Sequence, residues 1–251
     1  MGHARAQAYP VKPLRIIVAT VAGGGSDFIA RLLAQKLTEA LGQQVIVENR
    51  AGAGSTLGIE AGIRAAPDGY TLMFQSVTSH AINPTMYGKT PYSTEKDIVP
   101  LAVVASVPML LVANPSLPAK NIAELIALAK KKPDELSYAS FGNGSASHLA
   151  GELFTNQAGI KMTHIPYKGG GPAITDTLGG QVPMSFSAFG VALPHVKSGK
   201  LIALGTTGPT RAKLLPDVPT IEEAGNLKAY EMSIVYAVWA PAGVPTPIVN
   251  K

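Results

Sequence analysis

The chain has 251 residues, 46% hydrophobic and only 15% charged, so it carries enough apolar material for a sizeable core and lacks the composition of a disordered chain. Its 21 Lys and Arg against 16 Asp and Glu give a net charge of +5, dispersed except at Lys130-Lys131-Lys132, which argues against a nucleic-acid stripe and suits small anions. There is no cysteine, which excludes disulfides, thiolate metal sites and thiol nucleophiles.

At the start, Ala6-Gln7-Ala8 before Tyr9-Pro10 has the small-x-small form of a signal-peptidase site, and residues 1–8 are read as the remnant of an export signal. Residues 14–19 form a short β-branched run that ends at Gly23-Gly24-Gly25-Ser26-Asp27. Ile29, Leu32, Leu33, Leu37 and Leu41 then recur at helical spacing up to Gly42, a stop signal, and 44–48 is the next strand, giving a βαβ unit. Gly52-Ala53-Gly54-Ser55 opens a second helix over 56–65, followed by a strand at 71–74. Between Asp97 and Asn114 no charge occurs, but Pro100 and Pro108 interrupt the run; it is too short for a bilayer span and reads as two buried strands.

The pattern then repeats. Asn121 with Glu124 predicts a capped helix that stops before Pro133, and strands are expected at 136–139 and 163–166. Between those strands Gly142-Asn143-Gly144-Ser145 leads into a helix closed by Gly159. Gly171-Pro172 predicts another helix start with proline in the first position, and further strands fall near 184–186 and 201–206. Strands alternating with helices imply α/β layers that bind ligands at the carboxyl ends of the strands.

Three glycine loops, at 23–25, 52–55 and 142–147, each precede a helix and so offer backbone N–H groups and positive dipole ends to an anion. A dinucleotide fold competes, with Glu48 imitating the ribose-binding acid, but the glycine spacing fails: Phe28 and Leu57 stand where the third glycine belongs. No P-loop occurs. Ser145, Ser147 and His148 are adjacent without a G-x-S-x-G elbow, so helix capping is the simpler role for the serines. His148 and Glu152 are i,i+4 and could form half of a metal site, but no H-E-x-x-H or partner cluster accompanies them. Asp27, in the first helical turn, suits the dipole and could hold bridging waters.

Read together, these stretches resemble the Bug family of extracytoplasmic solute receptors, the periplasmic binding proteins of tripartite tricarboxylate transporters. The resemblance rests on Gly23-Gly24-Gly25-Ser26-Asp27, Val47-Glu48-Asn49-Arg50-Ala51-Gly52-Ala53-Gly54, Pro67-Asp68-Gly69-Tyr70 and His80-Ala81-Ile82-Asn83-Pro84 in the first half. The second half adds Gly142-Asn143-Gly144-Ser145-Ala146-Ser147-His148-Leu149, Ile165-Pro166-Tyr167-Lys168-Gly169, Gly199-Lys200-Leu201 and Leu215-Pro216-Asp217-Val218-Pro219-Thr220. It implies an α/β, two-lobe, periplasmic-binding-protein-like clamshell that closes on a small carboxylate. Gly24, Gly25, Ser26 and Asp27 would contribute from one lobe and Gly144, Ser145, Ala146 and Ser147 from the other. Family members normally continue well past Pro245-Thr246-Pro247, so the chain is expected to lack a C-terminal segment.

Two further departures bear on the ligand. Ala19-Thr20-Val21-Ala22 lacks the family's proline and aromatic residue, and Ser187-Ala188 stands where relatives selecting amino acids often carry an acid. A dicarboxylate or aromatic carboxylate is therefore expected rather than an amino acid, its far end read by Thr20, Gln75, Ser76, His80 and Phe189. The expected protein is a monomeric, periplasmic, non-enzymatic receptor without cofactor or nucleic acid, delivering its ligand to membrane permease subunits. The alternatives are a nucleotide-dependent α/β enzyme and a sensory receptor of the same fold. Lobe one is expected at 9–107 plus 236–251 and lobe two at 108–235, hinged on the apolar stretches 103–107 and 235–240.

Overall fold

The computed structural model describes residues 9–88 and 90–251, the side chains at 54, 79, 83 and 87 excepted; the suspected signal remnant at 1–8 lies outside them. The first block begins with β1 (Leu14–Val18), α1 (Gly25–Leu41) and β2 (Val45–Asn49). Helix α1 stops where expected, because Gly42 takes a left-handed φ of 67° and its N–H bonds the Thr38 carbonyl. A short 3-10 turn, Ala53–Ser55, leads into α2 (Thr56–Ile63) and β3 (Thr71–Ser76). Both β2 and β3 pair in parallel with β1. Helix α3 (Val77–Tyr87), which contains Pro84, follows directly and has no counterpart in the sequence reading.

The uncharged run is one strand, β4 (Ile98–Ala113), and not the expected two. Proline is tolerated in it because each ring falls where the ladder is already changing. The register with β9 (Ser233–Pro241) shifts just after Pro100, and Pro108 marks the end of that pairing. From Met109 onward the same strand pairs with β7 (Met184–Ala188) and β8 (Ile202–Thr206) and is wholly buried.

The second block comprises α4 (Ile122–Lys131), β5 (Ser137–Ser140), α5 (Ala146–Ala158), β6 (Thr163–Pro166) and α6 (Gly170–Leu178). The cap of α4 forms as expected, with the Glu124 N–H donating to Asn121 Oδ1 at 2.9 Å. Helix α6 starts at Gly170, so Pro172 occupies its third position rather than the first. After β7 comes α7 (Phe189–Lys197), and α8 (Ile221–Gly225) and α9 (Thr246–Val249) complete the chain.

Strand order is β2-β1-β3-β9-β4-β7-β5-β6, with β8 also on β4. Two parallel groups, β1–β3 and β5–β7, are thus joined by the antiparallel pair β4 and β9. The main core runs through both groups, from Ile16 and Phe74 to Tyr138, Phe154 and Phe186, and Tyr236 stacks on Phe74 with ring centres 5.6 Å apart. No helix among the described residues is long and apolar enough to cross a membrane.

Candidate binding site

A cavity of about 340 Å³ opens where four strand-to-helix loops meet. Ala19 and Thr20 follow β1, residues 51–53 and Ser55 follow β2, Phe141, Gly142, Asn143 and Ser145 follow β5, and Pro166, Tyr167 and Lys168 lie at the end of β6. Each loop runs into a helix, α1, α2, α5 or α6, whose first N–H groups have no intrahelical acceptor. The three glycine loops singled out in the sequence are therefore brought together, joined by a fourth.

A narrow extension is lined by Gly24, Gly25 and Ser26 from the first block, Phe141, Gly169 and Gly170 from the second, and Tyr236 of β9. Contact across it is close. A Cβ placed on Gly25 would sit 2.9 Å from Ala188 Cβ and 3.1 Å from the Tyr236 hydroxyl, so only glycine lets α1 approach β7 and β9. Ser26 hydrogen-bonds Tyr236, whose hydroxyl burial pushes up to about 12.

The loop after β1 is fastened by Asp27, which is 5% exposed. Its Oδ2 accepts from the Gly23 N–H and from Arg31 Nε, each at 3.0 Å, and its Oδ1 accepts from Asn49 Nδ2 at 3.0 Å. Asn49 also donates to the Thr20 carbonyl at 3.1 Å. Burial raises the Asp27 pKa, but the bonds from Arg31, Gly23 and Asn49 outweigh it and hold the carboxyl below its ordinary value. Asp27 therefore spends its oxygens on the loop, and no bridging water is needed to explain its position. Glu48 is likewise occupied, bonded to Arg50 at 2.6 Å and Arg15 at 3.2 Å.

The loop after β5 is fastened without an ion pair. Ser145 caps α5, accepting from the His148 N–H at 3.3 Å, and its hydroxyl donates to the Gly142 carbonyl at 2.7 Å. Ser147 is fully buried and accepts from the Phe141 N–H at 2.8 Å. The Gly144 N–H donates to His148 Nδ1 at 3.2 Å, and Ala146 is buried. Of the four expected ligand contacts here, Ser145 lines the cavity, while Gly144 and Ser147 bond inward and shape the loop.

The remaining expected residues separate. Thr20 lines the cavity and its extension, with a buried Oγ1 that has no partner among the described residues. Gln75 and His80 bond each other in the core, with His80 4.6 Å from the Trp239 ring and its pKa lowered to about 4 by burial. Ser76 caps α3, accepting from the Thr78 N–H at 3.3 Å. Phe189 packs in a separate core cluster with Leu110, Val112 and Ile174. None of these four lines the cavity. Sequence reasoning also passed over Asn143, Tyr167 and Lys168 as site residues. Asn143 lay in plain view between two glycines, and Tyr167 and Lys168 inside a quoted motif. Tyr167 donates to Asp176 at 2.7 Å, and burial, then Asp176, raise its pKa to about 12.

Chemically, the cavity offers neutral donors and one cation, Lys168, among its described lining residues. No cluster of three or more His, Cys, Asp or Glu fit for a metal occurs among the described residues. A second cavity, of about 410 Å³, is lined mainly by aliphatic side chains such as Leu33, Leu37, Leu72 and Leu101. It would strip a carboxylate of water and return few hydrogen bonds.

The family model described as tripartite tricarboxylate transporter family receptor (TctC) matches residues 29–251. Protein BugT of Bordetella pertussis is 40% identical over 245 residues, which is 97% of this chain and 75% of that protein. The structure of periplasmic binding protein BugD is similar at TM-score 0.91 and 38% identity, over 96% of this chain and 80% of that one. R. palustris Rpa4515 with adipate gives 0.93 at 34% identity, over 96% and 81% of the two chains. MatC from Rhodopseudomonas palustris with bound malate gives 0.89 at 33% identity, over 96% and 82%.

Proposed function

The chain belongs to the tripartite tricarboxylate transporter receptor family, and from that premise we propose that it captures a small organic carboxylate in the four-loop cavity and releases it unchanged to membrane permease subunits. The observation that carries this reading is that four loops, each leading into a helix with free N–H donors at its start, line one cavity and its narrow extension. Such donors hold an anion without a buried cation, which keeps the cost of desolvation low and release easy.

The protein works in the periplasm as a monomer, with lobe one at 9–107 plus 236–251 and lobe two at 108–235. Support for this division comes from β4, which leaves β9 at Pro108 and joins β7 and β8 from Met109. Gly24, Gly25 and Ser26 grip the ligand from one lobe and Ser145 from the other, while Asp27, Gly144 and Ser147 keep their loops in shape. The ligand is a dicarboxylate or an aromatic carboxylate. An amino acid fits poorly, because the buried positions 187 and 188 are Ser and Ala and the nearby Asp27 is already bonded to Arg31. The adipate and malate in the two related structures agree with a dicarboxylate.

Thermal melting against C4–C6 dicarboxylates, aromatic carboxylates, amino acids, NAD, NADP and ATP tests the reading. A ligand at about 100 times its Kd adds about 2.7 kcal/mol of stability. At least one dicarboxylate or aromatic carboxylate is expected to raise the melting temperature. Stabilisation by a nucleotide alone would overturn the proposal.

A further inference from the structure

We infer that His148 and His164 form a stacked, uncharged imidazole brace that positions the cavity loop at 141–145, and that carboxylate capture depends on both rings staying neutral. The inference deepens the proposed function and rests on it for its affinity readout.

The geometry dictates where the His148 proton is. A backbone N–H can only donate, so the bond from the Gly144 N–H to His148 Nδ1 at 3.2 Å requires a bare nitrogen there. The ring's proton then sits on Nε2, which lies 3.7 Å from Glu152 Oε1. His164 reaches the same loop through Ser140: its Nε2 is 2.6 Å from the Ser140 Oγ, and that oxygen accepts from the Gly142 N–H at 3.1 Å. One ring therefore holds the loop at residue 144 and the other at residue 142. Both glycines have positive φ, 72° and 126°, so the loop adopts a shape that its own backbone does not enforce and that outside bonds must select.

The rings are stacked, with centres 4.0 Å apart and planes 20° from parallel. Two charges at that distance would repel. The titratable groups facing them are Glu152 from α5 and Tyr138 from β5. Tyr138 lies 5.2 Å from the His164 ring and donates to the same Glu152 oxygen at 2.7 Å. Glu152 favours a charged His148, but its side chain is 53% exposed, so solvent screens the attraction. Burial lowers the pKa of both rings, that of His164 to about 4 with a further contribution from His148. Neutral rings are thus the resting state near pH 7. Protonating His148 at Nδ1 would set one N–H against another and release Gly144.

The test begins with the ligand-free protein, by NMR of labelled histidine rings and loop amides. His148 is expected as the Nε2–H tautomer at pH 7.5, with the Gly142 and Gly144 amides shifting together as the rings titrate. In His148→Leu the Gly144 amide should lose protection from hydrogen exchange and adipate should bind about tenfold more weakly. In His148→Asn, whose side-chain oxygen can take the place of Nδ1 and does not titrate, adipate binding at pH 7.5 should recover to within about threefold. That variant should also lose most of the decline in affinity between pH 7 and 5. A proton on His148 Nδ1 at pH 7.5, or a Gly144 amide indifferent to both ring titration and His148→Leu, would overturn the brace. If the couplings appeared in the free protein while adipate bound at no pH, the brace would stand and the choice of adipate as ligand would fall.

Discussion

The two loops that face each other across the cavity are held by opposite means. The loop after β1 hangs on a buried carboxylate, Asp27, that gathers the Gly23 N–H, Asn49 and Arg31. The loop after β5 hangs on neutral groups, the hydroxyls of Ser140, Ser145 and Ser147 and the ring of His148. A charged anchor makes stronger bonds and survives mild acid, whereas an imidazole acceptor works only while unprotonated. The difference shows that one cavity can be framed by two loops of which only one depends on a fixed charge, Asp27, held behind it.

The comparison is broken most completely at Gly25. Gly25→Val inserts carbon where Ala188 and Tyr236 already stand, so carboxylate binding should disappear in titration calorimetry while melting drops by about 1–3 kcal/mol of overpacking. Asp27→Ala comes next. It strands three donors, and a loss of about 2–3 kcal/mol in denaturant unfolding is expected, with affinity weakened at least tenfold. Asp27→Asn, keeping one oxygen, should fall between.

Acid separates the two loops without mutation. His80 and His164 titrate near 4 in the folded chain against about 6.5 when unfolded. Between these values the unfolded chain binds the protons first, so stability should fall as pH drops from 6.5 to 4. Asp27 acts in the same sense but over a lower pH range. Its folded pKa is depressed, so its contribution is present above the ordinary aspartate value and is lost only as pH falls further. Melting curves from pH 7 to 3.5 should therefore show an early decline, reduced in His148→Asn only in so far as the stacked pair shares it. A flat curve from 6.5 to 4.5 would contradict the buried-histidine account.

Smaller effects sharpen the picture. Ser145→Ala removes the cap of α5 and the bond to Gly142, with an expected cost of about 1 kcal/mol in unfolding. Thr20→Val should leave stability unchanged, because the Thr20 hydroxyl has no partner among the described residues, and weaken carboxylate binding by only a few fold, equivalent to about 0.5–1.5 kcal/mol. Equal binding by the valine variant would remove Thr20 from the site.

Where structure depends on neighbours in sequence, it was legible. The Gly42 stop and the Asn121 cap are complete within a few residues, and both form as expected. Loop clusters after strands were legible for the same reason, and they line the cavity and its narrow extension. Whether proline ends a strand depends on its partner, so Pro100 and Pro108 misled: slack in the ladder against β9 is a property of two chain segments, not one. Pro84 similarly concealed α3. Side-chain roles were harder still. Ser147 and Gly144 have the chemistry of ligand donors, yet Phe141 and His148 take their bonds. Gln75 and His80 bond each other inside the core, and Phe189 serves packing.

The central claim, that a carboxylate is held by the four loops, is tested most directly by titrating labelled protein with C4–C6 dicarboxylates and following backbone amides. The account predicts the largest saturable shifts at Gly24, Gly25, Ser26, Asn143 and Ser145, in both blocks at one common midpoint. Shifts confined to one block, or to the aliphatic cavity around Leu33, Leu72 and Leu101, would contradict it.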